Sequence, residues 1–497
     1  MGSSARKILN IVTAVVMVVI AASLLTVITT LIVRNLAPKN NSGAADDMLS
    51  QESDSITAQI KEAEREKPPE KENSGSGELL SASDDQRETE GPGAPEALPG
   101  TEDTVSDNSG TAIAEREEAE EEPGGTEDAG TIPDDTHEIK TEAPEHNNSI
   151  QSGIDTIAVK YGAVGLQIAV IKNGVITGAY VYGDAVRGST PMTIDTKIRV
   201  ASVSKVILTM AIMRLCELGL LDIDADIGDY WGAPVRNPNH SEVPVTMRQI
   251  LSHTSSIIVY DYGFSADGEL VRRRFLDGSC FGRNTPGAIG SWNYNNYAFA
   301  ALGLTVEVAM DETVNSIASR YLFSPLGIDA AFGSGSISDT SNIATLYTNG
   351  GGVGRSDETQ RGTLGSTFPG ERGEEFPGGL TISAYDLAKL IAVLAGRGQY
   401  GGVRILTDES VSLMESSQGR TGGFEQCLPL RRRANLYGKE ELCYHTGSNY
   451  GVYNLISYDP VTGDGVVVLT SGASGATDAY GIYAICGEIS EYVYRNM

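Results

Sequence analysis

Arg199-Val200-Ala201-Ser202-Val203-Ser204-Lys205 opens a long apolar run, residues 206–221, broken mainly by Arg214, Glu217 and Gly219. A run of that length and continuity predicts a buried helix. With Ser202 at the helix start, Lys205 lies three residues on, one turn away on the same face, so its amine approaches the serine hydroxyl. A serine hydroxyl is a weak nucleophile that needs a base within hydrogen-bond reach, and a lysine desolvated by an apolar helix can lose its proton near neutral pH. The partial positive charge of the helix N-terminus favours an oxyanion at the same place. Serine and lysine at this spacing also recur by chance in a chain of 497 residues, so the pair needs company before it counts as a site.

The totals narrow the field. The formal charge is -29, and residues 41–150 alone hold 31 Asp and Glu against 7 Lys and Arg, a local balance of -24. Residues 151–497 carry 35 acids and 26 bases, a balance of -9. No basic field recruits nucleic acid, and no phosphate-binding glycine motif precedes a helix, so nucleic acid is set aside as a partner. The five cysteines, Cys216, Cys280, Cys427, Cys443 and Cys486, form no C-x-x-C pair and have no histidine at zinc spacing, so no metal and no cofactor is expected. Cys216 and Cys486 fall in helices, where thiols act as small hydrophobes. Cys427 and Cys443 can face each other across a hairpin, a pair able to oxidise outside the cell.

Three regions follow from composition. Residues 1–37 contain an uncharged apolar run, 8–33, longer than the ~20 residues a helix needs to cross a bilayer. With Arg6 and Lys7 before it and no cleavage site after it, it reads as a single-pass, uncleaved signal anchor with a cytoplasmic N-end. The remainder of the chain is then extracytoplasmic. Residues 38–147 are rich in Glu, Asp, Ser, Gly, Pro and Ala with no apolar periodicity, the composition of a disordered acidic tether. Such a chain spans about 55–60 Å on average, more with like-charge repulsion, so a spacer role is favoured over an acidic interaction tail.

Residues 148–497 form the folded domain. A helix is expected over 149–161, then a hairpin of two apolar runs around Asn173-Gly174. Helical and irregular segments dominate to about residue 326, residues 363–379 form a glycine-rich loop, and a helix is expected at 382–395 with Asp386 and Lys389 on its polar side. Strands follow at 424–430, 441–446, 452–457 and 466–469, and a last helix at 482–494. Strands at both ends around a helical middle predict an α+β fold, an antiparallel sheet completed by the two ends of the domain and flanked by helices, with an inserted helical subdomain.

Two further clusters give Ser202 company. In Tyr294-Asn295-Asn296, a tyrosine acidified by a nearby ammonium can carry protons for Ser202, and the Asn296 amide can hold substrate and Lys205. In His445-Thr446-Gly447-Ser448, on a strand edge, glycine lets substrate lie against the backbone, and the Ser448 N–H can join that of Ser202 as an oxyanion hole. Tyr294 also has aromatic neighbours, Trp292 and Tyr297, that suit a core tyrosine. His253 reads as a structural, hydrogen-bonded histidine, since the base role is filled. Arg431-Arg432-Arg433 reads as a solvated strand or turn face, with recruitment of carboxylate substrates the less favoured use. No G-x-S-x-G is present, which argues against a nucleophile-elbow hydrolase.

With Ser202-Val-Ser-Lys205, Tyr294-Asn-Asn296 and His445-Thr-Gly447 in this order, 92 and 151 residues apart, the chain resembles the serine beta-lactamase and penicillin-binding family. It looks nearest to the class C type and its relatives among D-alanyl-D-alanine carboxypeptidases, D-aminopeptidases and esterases. Leu251-Ser-His-Thr-Ser255 and residues 378–387 are similar to recurring family segments, and the resemblance covers residue 149 to the C-terminus. It implies the beta-lactamase/transpeptidase-like fold and a covalent acyl-enzyme on Ser202, with Lys205 and Tyr294 moving protons and Asn296, His445, Thr446, Gly447 and Ser448 binding substrate. The implied partner is a small peptide, amide or ester, foremost a D-amino-acid peptide of the cell wall. An esterase or a beta-lactamase is the alternative within the family, and a catalytically silent penicillin-binding or sensor module the alternative outside enzymes. Two positions depart from the pattern. His445 replaces the usual lysine, weakening a fixed cation for a substrate carboxylate. Ser256 replaces a glycine, which implies strain if its φ is positive.

Overall fold

The computed structural model describes residues 146–259 and 265–497. The expected membrane-spanning run at 8–33 lies outside these residues, as does all but the end of the acidic segment. Among the described residues, no helix is long and apolar enough to cross a membrane.

The first helix, α1 (Asn148–Lys160), starts where the Asn147 side chain accepts the backbone N–H groups of Ser149 and Ile150. It leads into the expected hairpin, β1 (Gly165–Lys172) and β2 (Val175–Val186). Asn173 and Gly174 sit at φ 51° and 74°, the paired left-handed conformations of a tight two-residue turn. After the short β3 (Thr190–Pro191) come the helices α2 (Ser204–Glu217), α3 (Asn296–Met310) and α4 (Ala384–Ala395). The chain then returns to strands: β4 (Gly419–Thr421), β5 (Phe424–Gln426), β6 (Arg431–Leu436), β7 (Lys439–Asn449), β8 (Val452–Tyr458) and β9 (Gly465–Ser471), closed by α5 (Ala484–Asn496).

These strands form one antiparallel sheet in the order β4-β5-β6-β7-β8-β9-β1-β2-β3, so the first long strand pairs with the last, Gly165 opposite Ser471 and Ile171 opposite Gly465. The α+β architecture expected from the sequence is the one observed. Successive side chains of a strand point to opposite faces, and both faces here are covered. Leu166, Ile168 and Val170 of β1 pack with Ile154 of α1 and Ile489 and Val493 of α5. Ala169 and Ile171 turn the other way, into the core that holds Leu387 and Ile391 of α4 and nearly all of α2. Helix α2 is apolar all round because it is enclosed all round: from Ser204 to Met213 every residue is buried.

Two readings are sharpened here. Cys427 and Cys443 are free thiols, both buried. The Cys427 Sγ donates to the Glu415 carbonyl at 3.1 Å, and burial pushes its thiol pKa up to about 12. Asp386 and Lys389 do share the polar side of α4, but that side is closed to solvent at Asp386. This residue is buried, 9 % exposed, and accepts 2.8 Å hydrogen bonds from both Lys197 and Lys389. Lys197 comes from a distant part of the chain, so no local pattern announces that partner.

Candidate active site

Ser202 sits in a single 3-10 turn, Ala201–Val203, just before α2. Ala201 is held at φ 50°, a left-handed conformation that costs an alanine energy and persists because its surroundings enforce it. Those surroundings are explicit. The buried Ser204 hydroxyl donates to the Ala201 carbonyl at 2.6 Å and accepts from the Leu380 N–H at 3.0 Å, while Val200 N–H donates to the Leu380 carbonyl at 2.9 Å. The turn is thereby pinned to the strand that follows the glycine-rich loop.

Lys205, in the first turn of α2, is 0 % exposed. Its Nζ lies 2.6 Å from the Pro377 carbonyl, 2.8 Å from Asn296 Oδ1 and 3.3 Å from Ser202 Oγ. Burial holds its pKa well below the usual lysine value, and the Arg431 guanidinium adds to the effect. A neutral amine has two hydrogens and one lone pair. In that form Pro377 O and Asn296 Oδ1, which can only accept, take the hydrogens, and the lone pair can face the Ser202 hydroxyl.

Asn296 is the first residue of α3. The preceding Asn295 caps that helix, accepting from Ala298 N–H, and its amide donates to the Ile257 and Val259 carbonyls at 3.2 and 3.0 Å. Tyr294 is thus fixed between a helix start and the segment after His253. Its ring centroid is 5.0 Å from Lys205 Nζ and 4.4 Å from the His253 ring. The expected acidification of Tyr294 is overturned. Burial raises its phenol pKa, and the opposing pulls of the Ser202 hydroxyl and Arg431 do not reverse it.

Strand β7 forms the opposite wall. Strand β6 pairs with it only as far as Arg431 opposite Tyr444, so residues 445–449 have no β6 partner along that edge. Gly447 is required here by close approach: a Cβ would run into the Val200 carbonyl and come within 3.2 Å of Ser202 N. Thr446 and Ser448 line the cleft, whereas His445 is buried, 1 % exposed, behind it. The His445 Nδ1 lies 2.7 Å from the Thr446 carbonyl, which makes Nδ1 the protonated nitrogen and leaves Nε2 as an acceptor. Burial, and after it the Arg431 guanidinium, hold the pKa of this ring well below the usual histidine value. His253, at φ 58°, is also buried and neutral, and its Nδ1 accepts from Asn295 N–H at 3.4 Å, in keeping with the structural reading. Ser256 has a positive φ, 62°, so the strain that the sequence reading made conditional on it follows.

Together these walls enclose a cleft of about 670 Å³ lined by Ser202, Tyr294, Asn296, Arg431, Thr446 and Ser448. Two contributors were missed at the level of sequence. Pro377 acts through a backbone carbonyl, which no side-chain pattern reveals. Arg431 belongs to the cleft, not to a solvated face. Its signal was present: three consecutive arginines on a strand cannot share one face. Arg432 pairs with Glu425 at 2.6 Å, Arg433 donates to the Gly423 and Tyr480 carbonyls, and Arg431 turns inward over the Tyr294 ring.

A sequence profile of the Beta-lactamase family matches residues 145–485. The esterase EstB of Burkholderia gladioli is 31% identical over 184 residues, 33% of this chain and 46% of EstB. The mitochondrial serine beta-lactamase-like protein LACTB of Bos taurus is 32% identical over 129 residues, 24% of this chain and 23% of LACTB. The matched stretch therefore spans less than half the length of either relative. In fold, the D-alanine carboxypeptidase AmpC of Burkholderia cenocepacia superposes with a TM-score of 0.54 at 18% identity, over 69% of this chain and 97% of that one.

Proposed function

The chain belongs to the beta-lactamase family, and from that premise we propose that it is a serine hydrolase that forms an acyl-enzyme on Ser202. The observation that carries this reading is the buried Lys205 amine, 3.3 Å from Ser202 Oγ and held by the Asn296 and Pro377 oxygens at 2.8 and 2.6 Å, with a pKa that burial lowers. As Oγ attacks a substrate carbonyl, Lys205 takes the hydroxyl proton. The backbone N–H groups of Ser202 and Ser448 stabilise the resulting oxyanion. Tyr294, a neutral phenol beside both groups, donates its proton to the leaving amine or alcohol and recovers one from Lys205. Water then attacks the ester, gives a proton back through the same pair, and restores Ser202.

D-amino-acid peptides or related amides of the cell wall are the proposed substrates, in keeping with the carboxypeptidase of like fold. A simple ester is the second reading, favoured by a neutral His445 in place of a lysine and by the likeness to EstB. A catalytically silent module is disfavoured, because a binding-only descendant is free to lose Ser202, Lys205 and Tyr294. The apolar run at 8–33 and the acidic segment after it support a single-pass anchor and tether that place the domain on the extracytoplasmic side.

Labelling with a fluorescent penicillin, on wild type and Ser202→Ala, tests the reading. A stable adduct on the wild type alone supports the peptidase, and rapid turnover a lactamase. Ester hydrolysis without any adduct supports the esterase. Adduct or turnover surviving in Ser202→Ala removes Ser202 as the nucleophile.

A further inference from the structure

We propose that Glu307 is a positioning residue for this active site: its ionised carboxylate clamps the loop that carries the Pro377 carbonyl, and protonation opens the clamp. This extends the acyl-enzyme reading and rests on it, because what the clamp steadies is the base of that reaction.

The two oxygens that hold the Lys205 amine come from different segments, Asn296 Oδ1 from the start of α3 and Pro377 O from the glycine-rich loop. Their spacing depends on how that loop sits on α3. Phe376 makes one attachment, since a Cβ on Gly303 of α3 would run into its buried ring. Glu307, near the other end of the same helix, makes the second. Its Oε2 accepts the Gly370 N–H of the loop at 2.8 Å, and its Oε1 accepts the Val314 N–H at 2.9 Å. Gly370 is held from below as well, its carbonyl accepting the Gly268 N–H at 2.9 Å, and Gly373 N–H donates to the Ala266 carbonyl at 2.6 Å. Hydrogen-bonded turns then run on to the active site: Phe376 N–H donates to the Gly373 carbonyl at 3.1 Å and Gly379 N–H to the Glu375 carbonyl at 2.6 Å, with Pro377 between them.

A carboxylate accepts through both oxygens, whereas a neutral carboxyl carries a hydroxyl that donates, so protonation leaves one of the two N–H groups facing a hydroxyl. Val314 is buried at the start of a short helix capped by Thr313, which fixes its N–H. The loop bond is therefore the one that yields. Burial raises the Glu307 pKa to about 7, so the clamp closes as pH rises through neutrality. Charged groups on the packed segments are few. Glu371 of the loop adds to the upward push, Arg372 is paired with Glu371, and Glu312 after the helix is paired with Arg320. Asp267 caps the next helix at Leu270, and Asp311 and Glu269 are exposed. Ionised Glu307 orders the loop while its buried charge costs the whole fold stability, so loop order and global stability run in opposite directions with pH.

Hydrogen exchange at peptide resolution reads the clamp. After correction for the intrinsic pH dependence of exchange, protection of the wild-type loop, residues 366–378, is expected to rise about tenfold from pH ~6 to ~8, the scale of one recovered hydrogen bond, while core amides of α2 stay level or fall. Glu307→Gln, whose amide presents one acceptor and one donor like the neutral acid, is expected to hold loop protection at the wild-type low-pH level throughout. Catalysis reads the consequence. For 4-nitrophenyl butyrate, the ratio of wild-type to Glu307→Gln kcat/KM is expected to climb about tenfold over the same interval, since the Lys205 titration is common to both and cancels. Loop protection that stays flat or falls in the wild type, or that still rises in Glu307→Gln, overturns the clamp. A kcat/KM ratio that does not change with pH overturns its link to the active site. Turnover that survives in Ser202→Ala, or none by the wild type, overturns the acyl-enzyme reading, and loop protection then still decides the clamp.

Discussion

Lys205 Nζ lies 2.6 Å from the carbonyl oxygen of Pro377, so one hydrogen of the candidate base is held by a loop that belongs to neither its own helix nor that of Asn296. The other acceptor, Asn296 Oδ1 at 2.8 Å, is the one that mutation can reach. Asn296→Asp places a carboxylate beside the amine, favours the ammonium form and raises the Lys205 pKa. The neutral base is then present only at higher pH. We expect kcat/KM at neutral pH to fall by roughly 10²–10³-fold and the acid limb of its pH profile to move upward. An acid limb that stays in place rules out Lys205 as the titrating base.

Gly447→Ala drives a methyl group into the Val200 carbonyl and toward Ser202 N. Backbone, not a flexible side chain, must give way, which separates β7 from the turn that carries Ser202. We expect a loss of about 1–3 kcal/mol in chemical denaturation and a fall in kcat of roughly 10²-fold. Wild-type kcat in a correctly folded Gly447→Ala protein contradicts the placement of this strand.

Glu307 is buried in α3, where it accepts the Val314 and Gly370 N–H groups at 2.9 and 2.8 Å. Burial nonetheless raises its pKa to about 7. A carboxyl group with a raised folded pKa binds protons more readily in the native state between its unfolded value and about 7. Its contribution therefore declines as pH rises through that interval. Relative to Glu307→Gln, the wild type is expected to lose on the order of 2–3 kcal/mol between pH ~4.5 and ~7 in denaturant titrations. A difference that is flat with pH removes Glu307 as the titrating group.

Thiol labelling checks the cysteines. Cys280, Cys427, Cys443 and Cys486 are buried, and Cys216 is half-buried. Rapid labelling of the native protein is expected to reach Cys216 at most, and five thiols are expected to react after unfolding without reductant. Three would mean that one pair had oxidised.

What could be read from the sequence was what is local. Ser202 and Lys205 share a helical face, Asn173-Gly174 forces a turn, and the alternation of strands and helices implies the sheet. At Ser256 the sequence offered only a condition, a backbone cost if φ were positive, and the observed 62° meets it. What escaped depends on contacts between distant segments. The three arginines cannot all share one face, but which of them enters the cleft is fixed only by the register of Arg431 against Tyr444. Asp386 becomes buried because Lys197 arrives from far along the chain. The phenol of Tyr294 was expected to sense an ammonium, but burial of the phenol itself raises its pKa, and only a full environment reports burial.

The pairing of Gly165 with Ser471 has a consequence for biosynthesis. A polypeptide emerging from the ribosome exposes the β1–β2 hairpin long before its second neighbour exists, and that edge stays unsatisfied until some three hundred further residues have been made. Premature termination anywhere upstream of residue 465 leaves a strand template open to foreign chains. Truncated products should therefore aggregate or be degraded, not persist as partial enzymes.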